Sequence, residues 1–388
     1  MKKLLIASAA LAMVAGTAQA QSSVTVYGII DTGYNNVENT TSAGVKTDTT
    51  QIRTNGEAAT SRFGLRGSED LGGGMKANFQ IESNIGNTNA NNTAGSTNLG
   101  DRAFWVGLED AKMGQLRLGL QDSTVRSNWL AHDQLAMANV VGNLAHNQAG
   151  VSNGSGATNA AAGSHSALNT AVNYISPRFN GVQLTLGVTQ NDSQAGTDSK
   201  QKTGSGSQAG LNYQAGKLSA GVAYVESTTS VNSVAASGVF ADDDPSNATS
   251  VGAPAVSAAN TKNKETSAAA SYNFGVARVA YIYNKRDSQN SLATTDWATN
   301  IDRTSHSFSA SVPVGAKTVL RAGYGFGELR QGAASNYNAD IKGMQAAVNY
   351  NLSKRTMAYV IYGDESREIS ATTKAKTKEY SVGVRHSF

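Results

Sequence analysis

Apolar and polar residues alternate along most of the chain. In residues 182–188 (VQLTLGV) the apolar side chains fall on one face, and Gln183, Thr185 and Gly187 fall on the other. Residues 77–81 show the same alternation. A period of two predicts a β-strand with one apolar and one polar face. Such strands therefore dominate the predicted fold.

Sixteen segments follow this pattern. Each is about ten residues long, which is the length of a tilted strand that spans a membrane. The predicted strands cover residues 22–34, 61–70, 74–86, 100–109, 115–124, 166–177, 181–190, 205–214, 217–226, 265–274, 276–287, 304–313, 317–329, 340–351, 355–365 and 377–388. The pattern thus predicts an all-β fold of sixteen antiparallel strands.

The connections between these strands alternate between short and long. Residues 71–73 and 215–216 are tight turns, whereas residues 87–99 and 227–264 form long polar loops. Short turns on one rim and long loops on the other are typical of a transmembrane β-barrel. Because the strand number is even, both chain ends should lie on the short-turn rim, which would face the periplasm. The long loops would then be extracellular.

The third long connection, residues 125–165, differs from the other loops in its first half. It carries apolar residues at Trp129, Leu130 and Leu135. We predict a short helix between residues 128 and 141 that rests on the barrel wall.

A soluble β-sandwich also alternates, but two features favour a membrane barrel. Lipid offers no partners to backbone polar groups, so a spanning sheet must close on itself, and strands of similar length suit closure. The polar face is rich in Gln, Asn, Arg and Gly, which suits a water-filled interior. Aromatic residues near strand ends predict interfacial girdles. They are Phe63, Tyr174, Phe179, Tyr272, Phe274, Tyr281, Tyr283 and Tyr350.

The first twenty residues are predicted to be a signal peptide. Lys2 and Lys3 precede an apolar run and the small-residue site Ala18-Gln19-Ala20, so the barrel domain would cover residues 21–388. Without those two lysines, 30 basic residues face 28 acidic ones, a net charge of +2 that excludes a strong nucleic-acid footprint. The chain has no cysteine, which excludes disulfides and thiolate metal sites.

Four segments carry a resemblance to a known family. They are residues 23–28 (SVTVYG), 61–67 (SRFGLRG), 114–119 (GQLRLG) and 382–388 (VGVRHSF). Together they resemble the general porins of beta-proteobacteria, the group that includes the neisserial porins. The resemblance spans the whole mature chain.

The resemblance implies a sixteen-stranded homotrimer whose third long loop, residues 125–165, folds into the lumen as a constriction. It also implies passive diffusion of small hydrophilic solutes and ions. The surroundings would be outer-membrane lipid and lipopolysaccharide. Terminal Phe388, with Tyr380, Val382 and Val384 on its face, is similar to the signal read by the outer-membrane assembly machinery.

Transport through such a pore needs a narrow wet passage and an electric field across it. Strand parity places a set of charged residues in the lumen: Arg62, Arg66, Lys76, Arg117, Arg278, Arg321, Arg385, Asp31, Glu82 and Glu109. The constricting loop adds Arg126, Asp133, His132, His146 and His165. Basic residues outnumber acidic ones, so we expect a modest anion preference centred on Arg62, Arg66 and Arg117. The alternative is that these arginines pair with luminal acids and only brace the wall.

Three other functions are weighed against a general-diffusion channel. A substrate-selective channel of the same fold would show saturable flux for one solute. An outer-membrane hydrolase would need a nucleophile–base pair, and the sequence contains none in a recognisable context. A secreted adhesin without a pore would leave the membrane without detergent. The run Asp242–Asp244 lacks the ligand spacing of a calcium site, so no metal or cofactor is expected.

Overall fold

The computed structural model describes eleven segments of the chain. They are residues 23–41, 43–54, 56–85, 99–135, 140–145, 167–194, 200–231, 259–290, 301–331, 337–370 and 373–388. The expected signal peptide, His146, His165 and Asp242–Asp244 lie outside these residues.

Seventeen strands of one antiparallel sheet and one helix occur in this part of the chain. In chain order they are β1 (Ser23–Thr40), β2 (Lys46–Arg53), β3 (Arg62–Gly72), β4 (Met75–Asn84), β5 (Ala103–Asp110), β6 (Gly114–Asp122), α1 (Thr124–His132), β7 (Ala167–Ile175), β8 (Val182–Gln194), β9 (Lys200–Ala215), β10 (Leu218–Val231), β11 (Ala259–Asn273), β12 (Arg278–Asn290), β13 (Ile301–Val314), β14 (Thr318–Gln331), β15 (Tyr337–Asn351), β16 (Thr356–Ser370) and β17 (Thr373–Ser387).

The sheet closes on itself through β1. One edge of β1 pairs with β17, with Ile29 opposite Ser387, and its first half pairs with β3, with Val26 opposite Leu65. Strands β1 and β3–β17 therefore form the predicted barrel of sixteen strands, with each strand antiparallel to its neighbours.

Strand β2 is an addition that the pattern did not predict. It folds back on the second half of β1, with Tyr34 opposite Ile52. Its sequence KTDTTQIR has almost no apolar residues, and its side chains are mostly exposed. Without an apolar face there is no alternation to detect, although the backbone still pairs.

The sixteen barrel strands agree with the predicted segments, and several of them extend further at the long-loop rim. Strand β9, for example, begins at Lys200 and not at residue 205, and β11 begins at Ala259 and not at residue 265. The added residues are mostly polar in sequence, so they carry no apolar alternation from which the extensions could be predicted.

The barrel is polar inside and apolar outside, the reverse of a soluble protein. Val106 and Leu186 point outward with exposed fractions of 57% and 45%. Asp31, Ser267 and Gln345 point inward and are buried. An outer wall of exposed apolar side chains suits contact with hydrocarbon, where burial in a core is not required.

Aromatic side chains lie on the outer surface beside the short turns. Phe179 and Phe274 adjoin the β7–β8 and β11–β12 turns, and Phe179 is 77% exposed. Phe274 packs edge-on against Tyr272, with 4.7 Å between ring centroids. This rim has the composition and position of the predicted girdle. Among the described residues, no helix has the length and apolar character needed to cross a membrane.

The described parts of the third long connection lie inside the barrel, as the resemblance implied. Its helix α1 covers Thr124–His132 and not residues 128–141, because the Ser123 hydroxyl accepts the Arg126 backbone N–H at 3.1 Å and caps the first turn. Val125 and Trp129 of α1 pack against the inner wall, in contact with Ala223 and Ile282 among others. Residues 140–145 continue along the wall, where Leu144 packs over Gly325.

Candidate functional site

The lumen has two dissimilar walls. The described parts of the third connection lie along the inner surface from β9 to β17, where Thr124 binds Gln208 and Val141 binds Glu379. Strands β3–β6 lie on the other wall and carry most of the predicted basic residues. The passage therefore runs between the inserted loop and this basic wall.

Four arginines and two carboxylates meet where the inserted loop begins. We call Arg62, Arg102, Arg126, Arg385, Glu82 and Asp122 the arginine cluster. Glu82 Oε1 lies 2.6 Å from Arg102 Nε and 3.8 Å from Arg62 Nη1.

The inserted loop contributes its own charge to this cluster. Arg126 of α1 pairs with Asp122 at 2.9 Å. Arg385 lies close enough to Arg62 to repel it electrostatically, as do Arg102 and Arg126. Four guanidinium groups thus face two carboxylates, and the cluster retains a net positive charge.

Two further arginines rest on aromatic rings. The Arg66 Cζ atom lies 5.1 Å from the centre of the Tyr27 ring, and the Arg117 Cζ atom lies 4.2 Å from the centre of the Trp105 ring. Neither arginine forms an ion pair with any carboxylate in the described segments. A cation–π contact orients a guanidinium group without neutralising it.

Other predicted luminal residues fasten the inserted loop to the wall. Arg278 donates to the Ala131 carbonyl at 3.5 Å, and Arg321 donates to the Gln134 carbonyl. Asp133 accepts from the Leu135 N–H at 2.9 Å and from Asn143 Nδ2 at 2.8 Å. These three charges therefore have local partners.

His132 and Asp31 are also structural. The His132 Nδ1 atom lies 2.7 Å from the Asn128 carbonyl oxygen, and burial lowers the pKa of His132. Asp31 is buried and accepts from Tyr359 Oη at 2.6 Å and from the Ala59 N–H at 2.7 Å. Neither group is available to a passing ion.

Lys76 and Glu109 lie near the short-turn rim, away from the arginine cluster. They are exposed, and they occupy opposite positions on β4 and β5. Asn78 Nδ2 donates to Glu109 Oε2 at 2.7 Å. Opposite charges at this distance from the cluster contribute little to the net field at the constriction.

Arg102 and Asp122 were missed because strand parity fails at both positions. Arg102 has the parity of the outward Phe104, but it precedes β5, and its N–H donates to the Glu82 carbonyl at 3.1 Å. Asp122 has the parity of the outward Leu118, but it is the last residue of β6, and it pairs with Arg126 of α1 at 2.9 Å. Parity is a weak guide at the end of a strand, where the chain turns into the next element.

Comparisons with known proteins identify this arrangement. A family model described as Gram-negative porin matches residues 7–370. Outer membrane porin protein 32 of Delftia acidovorans is 32% identical, over 92% of this chain and 88% of the relative. The chain belongs to the Gram-negative porin family. The resemblance to beta-proteobacterial porins is thereby confirmed.

Solved porins share the fold. The anion-selective porin from Comamonas acidovorans has a TM-score of 0.67 and 23% identity, over 95% of this chain and all (100%) of that one. OmpT of Vibrio cholerae, in a trimer form, has a TM-score of 0.63 and 14% identity, over 95% of this chain and 99% of that one. Membership of the porin family makes this chain an outer-membrane channel and not an enzyme. Within the described residues, no group of three or more His, Asp or Glu side chains is arranged to hold a metal ion.

One carboxylate of the porin joins two loops inside the lumen. Glu379 of β17 accepts from the Val141 N–H of the third connection at 2.9 Å and from Asn35 Nδ2. It also lies 3.4 Å from Arg53 Nη1 at the end of β2, and Arg53 in turn binds both oxygens of Glu57 at 2.9 Å. We call these residues the Glu379 clamp.

Replacing Glu379 with alanine is expected to loosen the third loop without unfolding the barrel. The buried N–H of Val141 would lose its acceptor, at about 1–3 kcal/mol, and Asn35 Nδ2 would keep only its 3.3 Å bond to Ser381 Oγ. Single-channel recordings should show more frequent partial closures. The control is Glu368→Ala, which removes an exposed ion pair with Lys374. Exposed pairs contribute little to stability, so partial closures should be as frequent in this control as in the parent. If Glu379→Ala also closes no more often than the parent, the clamp is contradicted.

Glu57 makes the same clamp sensitive to pH. Burial raises the pKa of Glu57 to about 8, and the Glu379 carboxylate adds to the effect, although Arg53 opposes it. The folded porin thus retains a proton that an unfolded glutamate releases near pH 4.5, so this contribution to stability declines as pH rises from 4.5 to about 8. We expect closures to become more frequent between pH 7 and 9 in the parent and to lose this pH dependence in Glu57→Gln. If the frequency of closures in the parent does not change between pH 7 and 9, the role of Glu57 in the clamp is contradicted.

Proposed function

We propose that this porin passes small hydrophilic solutes by diffusion with a modest preference for anions. The proposal rests on the excess of positive charge in the arginine cluster, where the inserted loop begins. Four arginines lie there with only two carboxylates, Glu82 and Asp122. Arg66 and Arg117 add two guanidinium groups held by aromatic rings. The structural neighbour from Comamonas acidovorans bears the description anion-selective, which supports the same preference.

The direct test is the reversal potential of the purified porin in a planar bilayer under a gradient of potassium chloride. We expect chloride to pass more readily than potassium. A clear potassium preference would reject the proposal. Flux of a neutral sugar should rise linearly with concentration, and saturation for one sugar would favour the substrate-selective alternative.

The proposed assembly is a homotrimer embedded in lipid and lipopolysaccharide. The trimer form of Vibrio cholerae OmpT supports this stoichiometry by its shared fold. We expect cross-linking in detergent to stop at three chains, whereas a product limited to one chain would exclude the trimer.

The expected signal peptide is tested by sequencing the N-terminus of the mature protein. The sequence should begin at Gln21, and any other start would correct the expected cleavage site.

The C-terminal strand supports a role as the assembly signal. Tyr380, Val382 and Val384 project outward from β17. Phe388 exchanges two backbone hydrogen bonds of 3.1 Å with Gly28, which completes the closure of the barrel. Its ring lies over Gly28, where an added Cβ would come within 2.3 Å of the ring. Deletion of Phe388 should therefore lower the yield of folded porin in the outer membrane, and an unchanged yield would argue against the signal.

A further inference from the structure

Five luminal side chains on the basic wall form a surface that combines aromatic rings with positive charge. They are Tyr27, Arg66, Gln80, Trp105 and Arg117, and we call them the arginine–aromatic patch. Arg66 lies opposite Gln80 in the β3–β4 register, and Gln80 lies opposite Trp105 in the β4–β5 register. The three side chains therefore stand side by side across adjacent strands.

The facing of Trp105 is unusual for this barrel. Its neighbours Phe104 and Val106 point outward to the hydrocarbon. Trp105 points inward and meets Arg117, whose Nε donates to Gln115 Oε1 at 2.8 Å. Because Trp105 faces the lumen, contact with lipid does not explain its position. Its indole ring presents a flat polarisable surface to solutes.

Hydrogen bonds hold the patch in position. Gln80 Nε2 donates to Tyr27 Oη at 2.8 Å, and Tyr27 Oη donates to Glu82 Oε2 at 2.9 Å. The Arg66 guanidinium group then lies over the Tyr27 ring and remains exposed to the lumen. The charged group is thus oriented before any solute arrives.

The patch differs from the arginine cluster in its counter-charges. Arg102 and Arg126 each pair with a carboxylate within 3 Å. In the described segments, Arg66 and Arg117 have no carboxylate within ion-pair distance, although Glu109 attracts Arg117 from farther away. An anion that reaches the patch therefore does not have to displace an internal acid, while the rings favour a solute that is flat as well as negative.

We propose that the arginine–aromatic patch is a weak binding site for aromatic carboxylates. The proposal rests on the anion preference proposed above and names the class of anion favoured. Strands in a sheet lie about 4.8 Å apart, so the backbones of Arg66 and Trp105, two strands apart, are separated by about 10 Å. An arylcarboxylate fits between them with its carboxylate toward Arg66 and its ring against Trp105 and Arg117. Arg66 offers two parallel N–H donors to the carboxylate.

The test compares benzoate with cyclohexanecarboxylate, which carries the same charge on a ring of similar size without π electrons. Each acid is added to single channels that conduct chloride. We expect benzoate to reduce the chloride current at a several-fold lower concentration than cyclohexanecarboxylate. In Trp105→Leu the two acids should become equivalent. In the matched control Phe104→Leu, which removes an aromatic ring from the lipid face of the same strand, the difference should persist.

Each outcome is decisive. Equal block by the two acids in the parent, or a difference that survives in Trp105→Leu, would overturn the patch. If Trp105→Leu fails to insert, Arg66→Gln supplies the second variant, and it too should lose most of the benzoate block. The reversal potential in potassium chloride is recorded on the same channels. If the channel prefers chloride but the two acids block it equally, only the arginine–aromatic patch is contradicted. If the channel prefers potassium, the proposed function itself is contradicted.

Discussion

Replacing Arg62 with glutamate is expected to move the reversal potential of this porin from the chloride side to the potassium side. Arg62 lies 3.8 Å from Glu82, and it is one of four guanidinium groups in the arginine cluster. A unit charge about 5 Å from an ion in water-like surroundings changes the energy of that ion by about 0.8 kcal/mol. The two-unit change should therefore alter ion partitioning on the order of tenfold.

Two matched variants separate a local effect from a change in total charge. Glu82→Gln removes one of the two acids and should move the reversal potential further toward chloride. Arg330→Glu makes the same charge change as Arg62→Glu, but at an exposed position paired with Glu328 at 2.6 Å, so it should leave selectivity unchanged. An Arg62→Glu channel as selective for chloride as the parent would show that this arginine only braces the wall. The effect should also weaken in high salt, because ions screen the field.

Introducing arginine at Leu186 is expected to destabilise the folded porin by about 2–4 kcal/mol, the cost of a charged side chain at the middle of the bilayer. Leu186 points outward near the centre of the spanning part of β8 and is 45% exposed. The neighbouring Thr185 points to the lumen, where water is available. Thr185→Arg should therefore cost little, although it adds the same residue one position away.

Urea unfolding in lipid vesicles measures both variants. The free energy of unfolding should fall in Leu186→Arg and stay near the parent value in Thr185→Arg. Equal losses would mean that the two faces meet the same surroundings, and a larger loss in Thr185→Arg would reverse the assigned faces.

The strands of the barrel were predictable because alternate residues of a strand lie on opposite faces of the sheet, one apolar and one polar. Strand β15 alternates between buried and exposed residues from Ile341 to Tyr350, and its apolar outward residues were visible in the sequence. The short turns and long loops then gave the topology. Strand β2 was not predictable, since polar side chains on both faces leave no pattern.

The charges of the lumen were only partly predictable, since parity gives a direction and not a partner. It placed Arg62, Arg66 and Arg117 inside. It could not reveal that Arg62 shares Glu82 with Arg102 while Arg66 and Arg117 rest on rings, because those partners lie on other strands. Asp122 ends its strand, and its ion pair with Arg126 depends on the start of α1, which strand parity does not describe.

The clamp could not be found from the sequence either. Glu379 is an ordinary polar residue of the last strand, and Val141 contributes only a backbone N–H, which no side-chain pattern reports. Arg53 ends β2 and Glu57 follows four residues later, a spacing that predicts no contact with Glu379 until β2 folds back on β1.

Spin labels on three consecutive residues of β8 test most directly whether the apolar face meets lipid and the polar face encloses water. The chain has no cysteine, so single cysteines at Leu184, Thr185 and Leu186 can be labelled without interference. In lipid vesicles, labels at Leu184 and Leu186 should be relaxed mainly by oxygen, which concentrates in hydrocarbon. The label at Thr185 should be relaxed mainly by a water-soluble nickel complex. Water contact at Leu184 and Leu186 together with lipid contact at Thr185 would contradict the barrel as described.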